Sequence, residues 1–162
     1  MEKREKFYVY DLRPRRQDKL PGFLSKEDTV KLLTATINIK HRAILQLIYS
    51  AGLRLGELTK LKVRDIKFDM GIIEVKCAKG KKDRITVLSS TIKALLKSYL
   101  DQYHPKYWLF EGQDGGQYAN RSVQNILKAA IIKSGVDENT TVHTLRHTFA
   151  THMILDGVDL RR

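Results

Sequence analysis

Three short stretches of this sequence place cations where backbone geometry would hold them still. The first is Arg54 in "AGLRLGEL", directly after an apolar run and flanked by Leu53 and Leu55. A guanidinium anchored between buried neighbours cannot swing freely, which suits a preorganised ligand for an anion. The other reading is a surface arginine whose stem packs on the core. The second stretch is "KCAKGKKDR", basic residues around Gly80 with Asp83 as their one acid. Lysines at a hairpin tip can enter a nucleic-acid groove, although charged tips are also a common solvated feature of sheet proteins. The third is "TVHTLRHTFATH", in which His143 and Arg146 stand three residues apart. On a helix they become neighbours on one face, while Leu145 and Phe149 turn toward the core. A planar guanidinium offers parallel donors to two phosphate oxygens, and an imidazole can give or take a proton near neutral pH. The pair suits phosphoryl transfer; taken alone, it is more often part of a solvated helix. His147, next to Arg146 and so directed elsewhere, and His152 read as packing or hydrogen-bonding residues. No histidine or carboxylate grouping reads as a metal site.

These residues need elements to position them. "SKED" puts a serine cap three residues before an acid, starting a helix at Ser25 that stops near Thr36. "KHRAILQLIYSAG" reads as a buried helix closed by Gly52, a residue suited to a left-handed terminus. Leu53, Leu55, Leu58 and Leu61 predict a short third helix. Between Asp65 and Leu88 the pattern changes to β-branched runs, "IKFDMGIIEVKC" and "RITVL", separated by turn residues. That pattern predicts a three-stranded antiparallel sheet with the lysine-rich stretch at a hairpin tip. "SSTIKALLKSYL" and "NRSVQNILKAAIIKSG" follow as amphipathic helices, with "YWLF" and a glycine-containing loop between them. The last helix begins near Thr141 or His143 and ends at Gly157. The expected fold class is α+β, mainly helical, with one small sheet.

Composition bounds the partner. In 162 residues, 30 Lys and Arg stand against 18 Asp and Glu, a formal charge of +12. The size fits one domain with an adequate core, and the charge points to a polyanion, nucleic acid first. No apolar run approaches a membrane-spanning length, and the N-terminus lacks the apolar core of a signal peptide, so the expected location is cytoplasmic. Cys77 is the one cysteine, which leaves no partner for a disulfide within the chain and suggests a buried structural thiol. Residues 1–22, with Arg13, Arg15 and Arg16 beside Pro14, read as a basic interdomain linker.

The ordered set "AGLRLGEL", "AKGKKDR" and "HTLRHTFATH" resembles the catalytic domain of tyrosine recombinases, the phage-integrase and Xer-type family, over nearly the whole chain. The resemblance implies that Arg54 and Arg146 grip a scissile DNA phosphate and that His143 assists proton transfer and phosphate binding. It implies Lys79 as the acid that protonates the departing 5′-hydroxyl, with Lys81 and Lys82 as alternatives on the same hairpin. Glu57 and Asp65 would be supports. Arg13, Arg15, Arg16, Lys81, Lys82 and Arg84 are expected to contact DNA. Family chemistry is attack by a tyrosine hydroxyl on a phosphodiester, giving a 3′-phosphotyrosine and a free 5′-hydroxyl, with neither metal nor nucleotide cofactor. The partner is double-stranded DNA, on which the family assembles as a tetramer; the isolated chain is expected to be monomeric. In the family a Leu-Gly-His segment and the nucleophilic tyrosine follow the His-x-x-Arg helix, and Arg162 comes before either. Residues 23–162 are therefore expected to form a catalytic domain, C-terminally incomplete, that binds DNA without cleaving it. A competing reading takes "HRAILQLIYSAGLRLGELTKL" as the helix-turn-helix of a non-catalytic DNA-binding regulator.

Overall fold

The local signals that start and stop the helices operate as side-chain and backbone chemistry in the computed structural model, which describes residues 22–77 and 82–157. The Ser25 hydroxyl accepts from the Asp28 amide and opens helix α1, Lys26–Thr34. This helix ends two residues earlier than "near Thr36", with Ala35 as its cap. Asn38 caps helix α2, Ile39–Ala51, which closes on Gly52 in the left-handed conformation at φ 60°. Arg54 then leads into helix α3, Leu55–Thr59, and a single 3₁₀ turn at Val63–Asp65 follows. The buried Asp65 accepts from the Lys62 amide at 2.9 Å and holds that turn. Strands β1 (Ile66–Lys67), β2 (Ile72–Val75) and β3 (Arg84–Val87) form an antiparallel sheet in the order β1-β2-β3. Its register pairs Ile73 with both Ile66 and Thr86. Helices α4 (Ser90–Tyr103), α5 (Asn120–Ser134) and α6 (Val142–Leu155) complete the order. The protein is thus α+β and mainly helical, with one small three-stranded sheet, as the sequence pattern predicts.

Helix α2 is the centre of the packing. Ala43, Ile44, Leu45, Leu47 and Ile48 are all fully buried, so α2 is apolar around most of its circumference and is covered by α1, α4, α5 and α6. One hydrophobic core runs from Leu24 to Leu145. "YWLF" is neither helix nor long strand. Trp108 forms a single bridge with Lys62, while Leu109 and Phe110 are buried and the Tyr99 hydroxyl donates to the Leu109 carbonyl at 2.8 Å. Cys77 is half-buried, not buried, because it lies just past β2 at the base of the hairpin.

The packing that matters most for the site joins α2 to α6. Phe149 of α6 lies against Gly52 so closely that a Cβ there would sit 2.7 Å from its ring. Tyr49 meets the Phe149 ring edge-on, and its hydroxyl bonds His152 Nδ1 at 2.9 Å. His152 Nε2 reaches the Leu24 carbonyl at 2.9 Å, and the Leu24 amide donates to Thr148 Oγ1 at 3.0 Å. His152 is buried and hydrogen-bonded at both ring nitrogens, the role expected of it. Burial pushes the Tyr49 hydroxyl above the usual phenol range. Helix α6 is thereby fastened at one end to α2 and to the chain entering α1, which fixes the direction of Arg146. Among the described residues no helix is long and apolar enough to cross a membrane.

Candidate functional site: an arginine clamp over a buried carboxylate

The site forms where α2 ends. Gly52 closes the helix in the left-handed conformation, and its carbonyl oxygen accepts from Arg146 Nη1 at 3.0 Å. Two residues on, Arg54 occupies the N-cap of α3 in extended conformation. Glu57, in the first turn of α3, reaches back to it: Oε2 accepts from the Arg54 amide at 2.8 Å and Oε1 from Arg54 Nη1 at 3.1 Å. Arg84 of β3 donates to the same carboxylate, Nη2 to Oε2 at 2.8 Å, and to the Gly52 carbonyl at 3.4 Å. Arg146 Nη1 stands 3.8 Å from Glu57 Oε2. Three arginines from α3, β3 and α6 thus share two acceptors, Glu57 and the Gly52 carbonyl.

The Glu57 side chain is only 10% exposed, whereas that of Arg54 is 56% exposed. Burial alone would push the Glu57 carboxyl up. The hydrogen bonds from the Arg84 guanidinium and the Arg54 amide, together with the charge of Arg84, outweigh it and hold the carboxyl below its ordinary value. A carboxylate kept ionised in this way orients the guanidinium groups while its own charge is more than balanced by theirs.

Arg54, His143 and Arg146 line one cleft of about 570 Å³. The exposed His143 ring packs edge-on against His147, with Nε2 to Nε2 at 2.7 Å. His147 is a hydrogen-bonding and packing residue, as expected of it: it does not line the cleft, and its partner is the His143 ring one turn earlier. Across the cleft stand Arg121, Gln124 and Lys128 of α5, and Thr140 lines it too, its buried hydroxyl without a hydrogen-bond partner among the described residues. Sequence reasoning passed over these four. The recurrence of Arg121, Gln124 and Lys128 on one face of an amphipathic helix was the available signal.

Of the other residues expected at a site, Lys79, Lys81, Arg13, Arg15 and Arg16 lie outside the described residues. Lys82 is described and exposed. Arg84 is half-buried, and its guanidinium is turned onto Glu57 and Gly52. Glu57 does support Arg54, while Asp65 braces the 3₁₀ turn. The five-residue α3, with Leu58 and Thr59 buried, is only about 7.5 Å long. It presents little surface to a major groove, which weighs against the helix-turn-helix reading. Among the described residues no group of three or more His, Cys, Asp or Glu side chains is gathered as metal ligands.

Arg54, Arg146 and His143 thus line one cleft in a fold with one small sheet on a helical body. Residues 22–162 match the phage integrase family, and the chain belongs to that family. The chain is 35% identical to tyrosine recombinase XerD of Listeria innocua, over 91% of its own length and 54% of the relative's. It is 36% identical to a putative integrase/recombinase of Sinorhizobium fredii, over 91% of the chain and 48% of the relative. The chain therefore spans about half the length of the curated relatives it matches. The crystal structure of XerA recombinase superposes with a TM-score of 0.82 at 30% identity, covering 96% of this chain and 60% of that one. XerH site-specific recombinase bound to palindromic difH substrate, a post-cleavage complex, superposes at 0.75 with 27% identity, covering 85% and 43%.

Proposed function

We propose that this chain is the phosphate-gripping catalytic domain of a tyrosine-type site-specific recombinase acting on double-stranded DNA. The observation that carries the reading is the convergence of Arg54 and Arg146 on Glu57 and the Gly52 carbonyl, with both arginines and His143 lining one cleft. Preorganised cations of this kind stabilise the charge that grows on a phosphate during in-line displacement, and they need no reorganisation as it reacts. In the reaction proposed, a tyrosine hydroxyl loses its proton, with His143 to take or relay it, as its oxygen bonds to phosphorus and the bond from phosphorus to the 5′-oxygen breaks. The released 5′-oxygen takes a proton from Lys79, and the strand is held as a 3′-phosphotyrosine until a 5′-hydroxyl reverses the step. Arg54 and Arg146 clamp the non-bridging oxygens, and His143 donates to one of them or relays a proton. Assembly of four protomers on two duplexes belongs to the same reading.

Among the described residues no tyrosine lines the cleft. Tyr49 is committed to His152, Tyr99 to Leu109, and Tyr103 and Tyr118 flank Lys40. The described residues are therefore proposed to hold DNA without themselves supplying the attacking tyrosine. Two measurements test this. Fluorescence anisotropy with a labelled duplex should show salt-sensitive binding, and Arg54→Ala/Arg146→Ala should weaken it and flatten log Kd against log salt by about one unit per lost contact. Equal binding by the double variant would refute the clamp. Incubation with a nicked suicide duplex should give no covalent adduct; an adduct would show that a tyrosine in the chain attacks.

A further inference from the structure

Strand β3 carries its polarity the wrong way round for a strand covering a core. Ile85 and Val87 are 66% and 70% exposed, while Arg84 and Thr86 face inward. Both inward residues grip the end of α2. Thr86 Oγ1 donates to the Ala51 carbonyl at 3.3 Å, and Arg84 Nη2 to the Gly52 carbonyl at 3.4 Å and Glu57 Oε2 at 2.8 Å. Turning two polar residues inward and two large apolar ones outward forgoes apolar burial on β3, and what the strand gains is a guanidinium placed on Glu57. Arg84 does not line the cleft, whereas Arg54 and Arg146 do.

Glu57 meets three guanidinium groups, and their distances divide the work. Arg84 makes the short contact to Oε2, Arg54 is held at Oε1, and Arg146 stands back at 3.8 Å. We propose that Arg84 is the standing counter-ion of Glu57, a positioning residue that occupies Oε2, leaves the Arg54 guanidinium held through Oε1 and keeps Arg146 from closing on the carboxylate, and so directs the charge of both cleft arginines at a phosphate. The inference rests on the phosphate-clamp reading. It also ties β3 to the clamp: the strand that follows the lysine-rich stretch ends its inward face on the acceptors that orient Arg54 and Arg146.

Removing Arg84 while Glu57 stays charged leaves the carboxylate to pull on the two cleft arginines. Removing both charges relieves that pull. Duplex binding by the 162-residue chain, read by anisotropy with circular dichroism confirming the fold, separates these cases. Arg84→Gln should weaken binding on the order of tenfold, and adding Glu57→Gln should recover it to within about threefold of wild type. Because neutralising Glu57 also relieves a fold that has lost a buried counter-ion, thermal melts of both variants are read beside binding. Loss and recovery of binding with both variants fully folded at the assay temperature support positioning, and recovery seen only as the fold itself recovers overturns it. If Arg84→Gln does not fold, Arg84→Lys carries the comparison: binding near wild-type strength supports a counter-ion, and a tenfold loss overturns it. Arg84→Gln binding as well as wild type, or a double variant no better than the single, also overturns the proposal. If instead Arg54→Ala/Arg146→Ala binds like wild type, it is the clamp reading that fails.

Discussion

Substituting Gly52 by alanine tests the joint on which the site is built. Two separate strains follow from the structure. The residue has φ 60°, and an L side chain in the left-handed region costs about 1 kcal/mol relative to glycine. The added Cβ would also stand 2.7 and 2.9 Å from Cδ1 and Cε1 of Phe149. The ring is held by Tyr49 and cannot retreat without moving α6, so the overpacking adds about 1–3 kcal/mol. The total, about 2–4 kcal/mol, is a large part of the 5–15 kcal/mol on which a domain of this size stands, and corresponds to a fall in Tm of roughly 5–15 °C. Gly135 supplies the internal control. It has φ 70° at the end of α5 and nothing within 4 Å of its added Cβ, so Gly135→Ala should cost only the backbone part, about 1 kcal/mol. Urea unfolding followed by circular dichroism gives both values under one protocol. Combining Gly52→Ala with Phe149→Leu should recover part of the loss by relieving the contact. Equal cost for the two glycines, within about 0.5 kcal/mol, would refute the claim that the Phe149 ring is wedged against Gly52.

Further outcomes follow from the same contacts. The Glu57 carboxyl is held below its ordinary value, so its contribution to stability is fully present above the usual carboxylate range and is lost as pH falls through the depressed value. Glu57→Gln should therefore be less stable than wild type by about 2 kcal/mol at neutral pH, and that difference should shrink in acid; a gap that widens below about pH 4 would contradict the sign. His152→Leu leaves the Tyr49 hydroxyl and the Leu24 carbonyl without their partners. It should lower stability by about 2–3 kcal/mol in thermal melts, and a change under 0.5 kcal/mol would show that the fastening of α6 does not depend on it.

The helix boundaries were legible because the signals that set them act over a few residues. Ser25 and Ser89 cap by bonding the amide three residues on, and Gly52 and Gly135 end helices because the left-handed turn suits them. That α2 would be buried was also legible, from Ile44, Leu45, Leu47 and Ile48 on either side of Gln46. The β-branched run "RITVL" marked a strand but could not say which set of residues faces inward. That depends on what lies behind the sheet, and there it is the polar end of α2, not an apolar wall. Arg84 was accordingly expected on DNA, while the structure turns it onto Glu57. His147 hydrogen-bonds as its position outside the Arg146 face predicts, but that its partner is His143 follows only from the two rings meeting on the folded helix.

By itself, the sequence determined a basic, mainly helical chain in which Arg54, His143 and Arg146 sit on locally specified elements. It also fixed their order, which resembles that of a known family, because capping, periodicity and charge are written in neighbouring residues. Only the tertiary structure decided that Arg146 would share an acceptor with a strand residue, by bonding a carbonyl 94 positions before it. Only folding buried Glu57 under three guanidinium groups. Such contacts depend on which helix end meets which face, and that is settled by the collective burial of the core, not by any run of residues short enough to read.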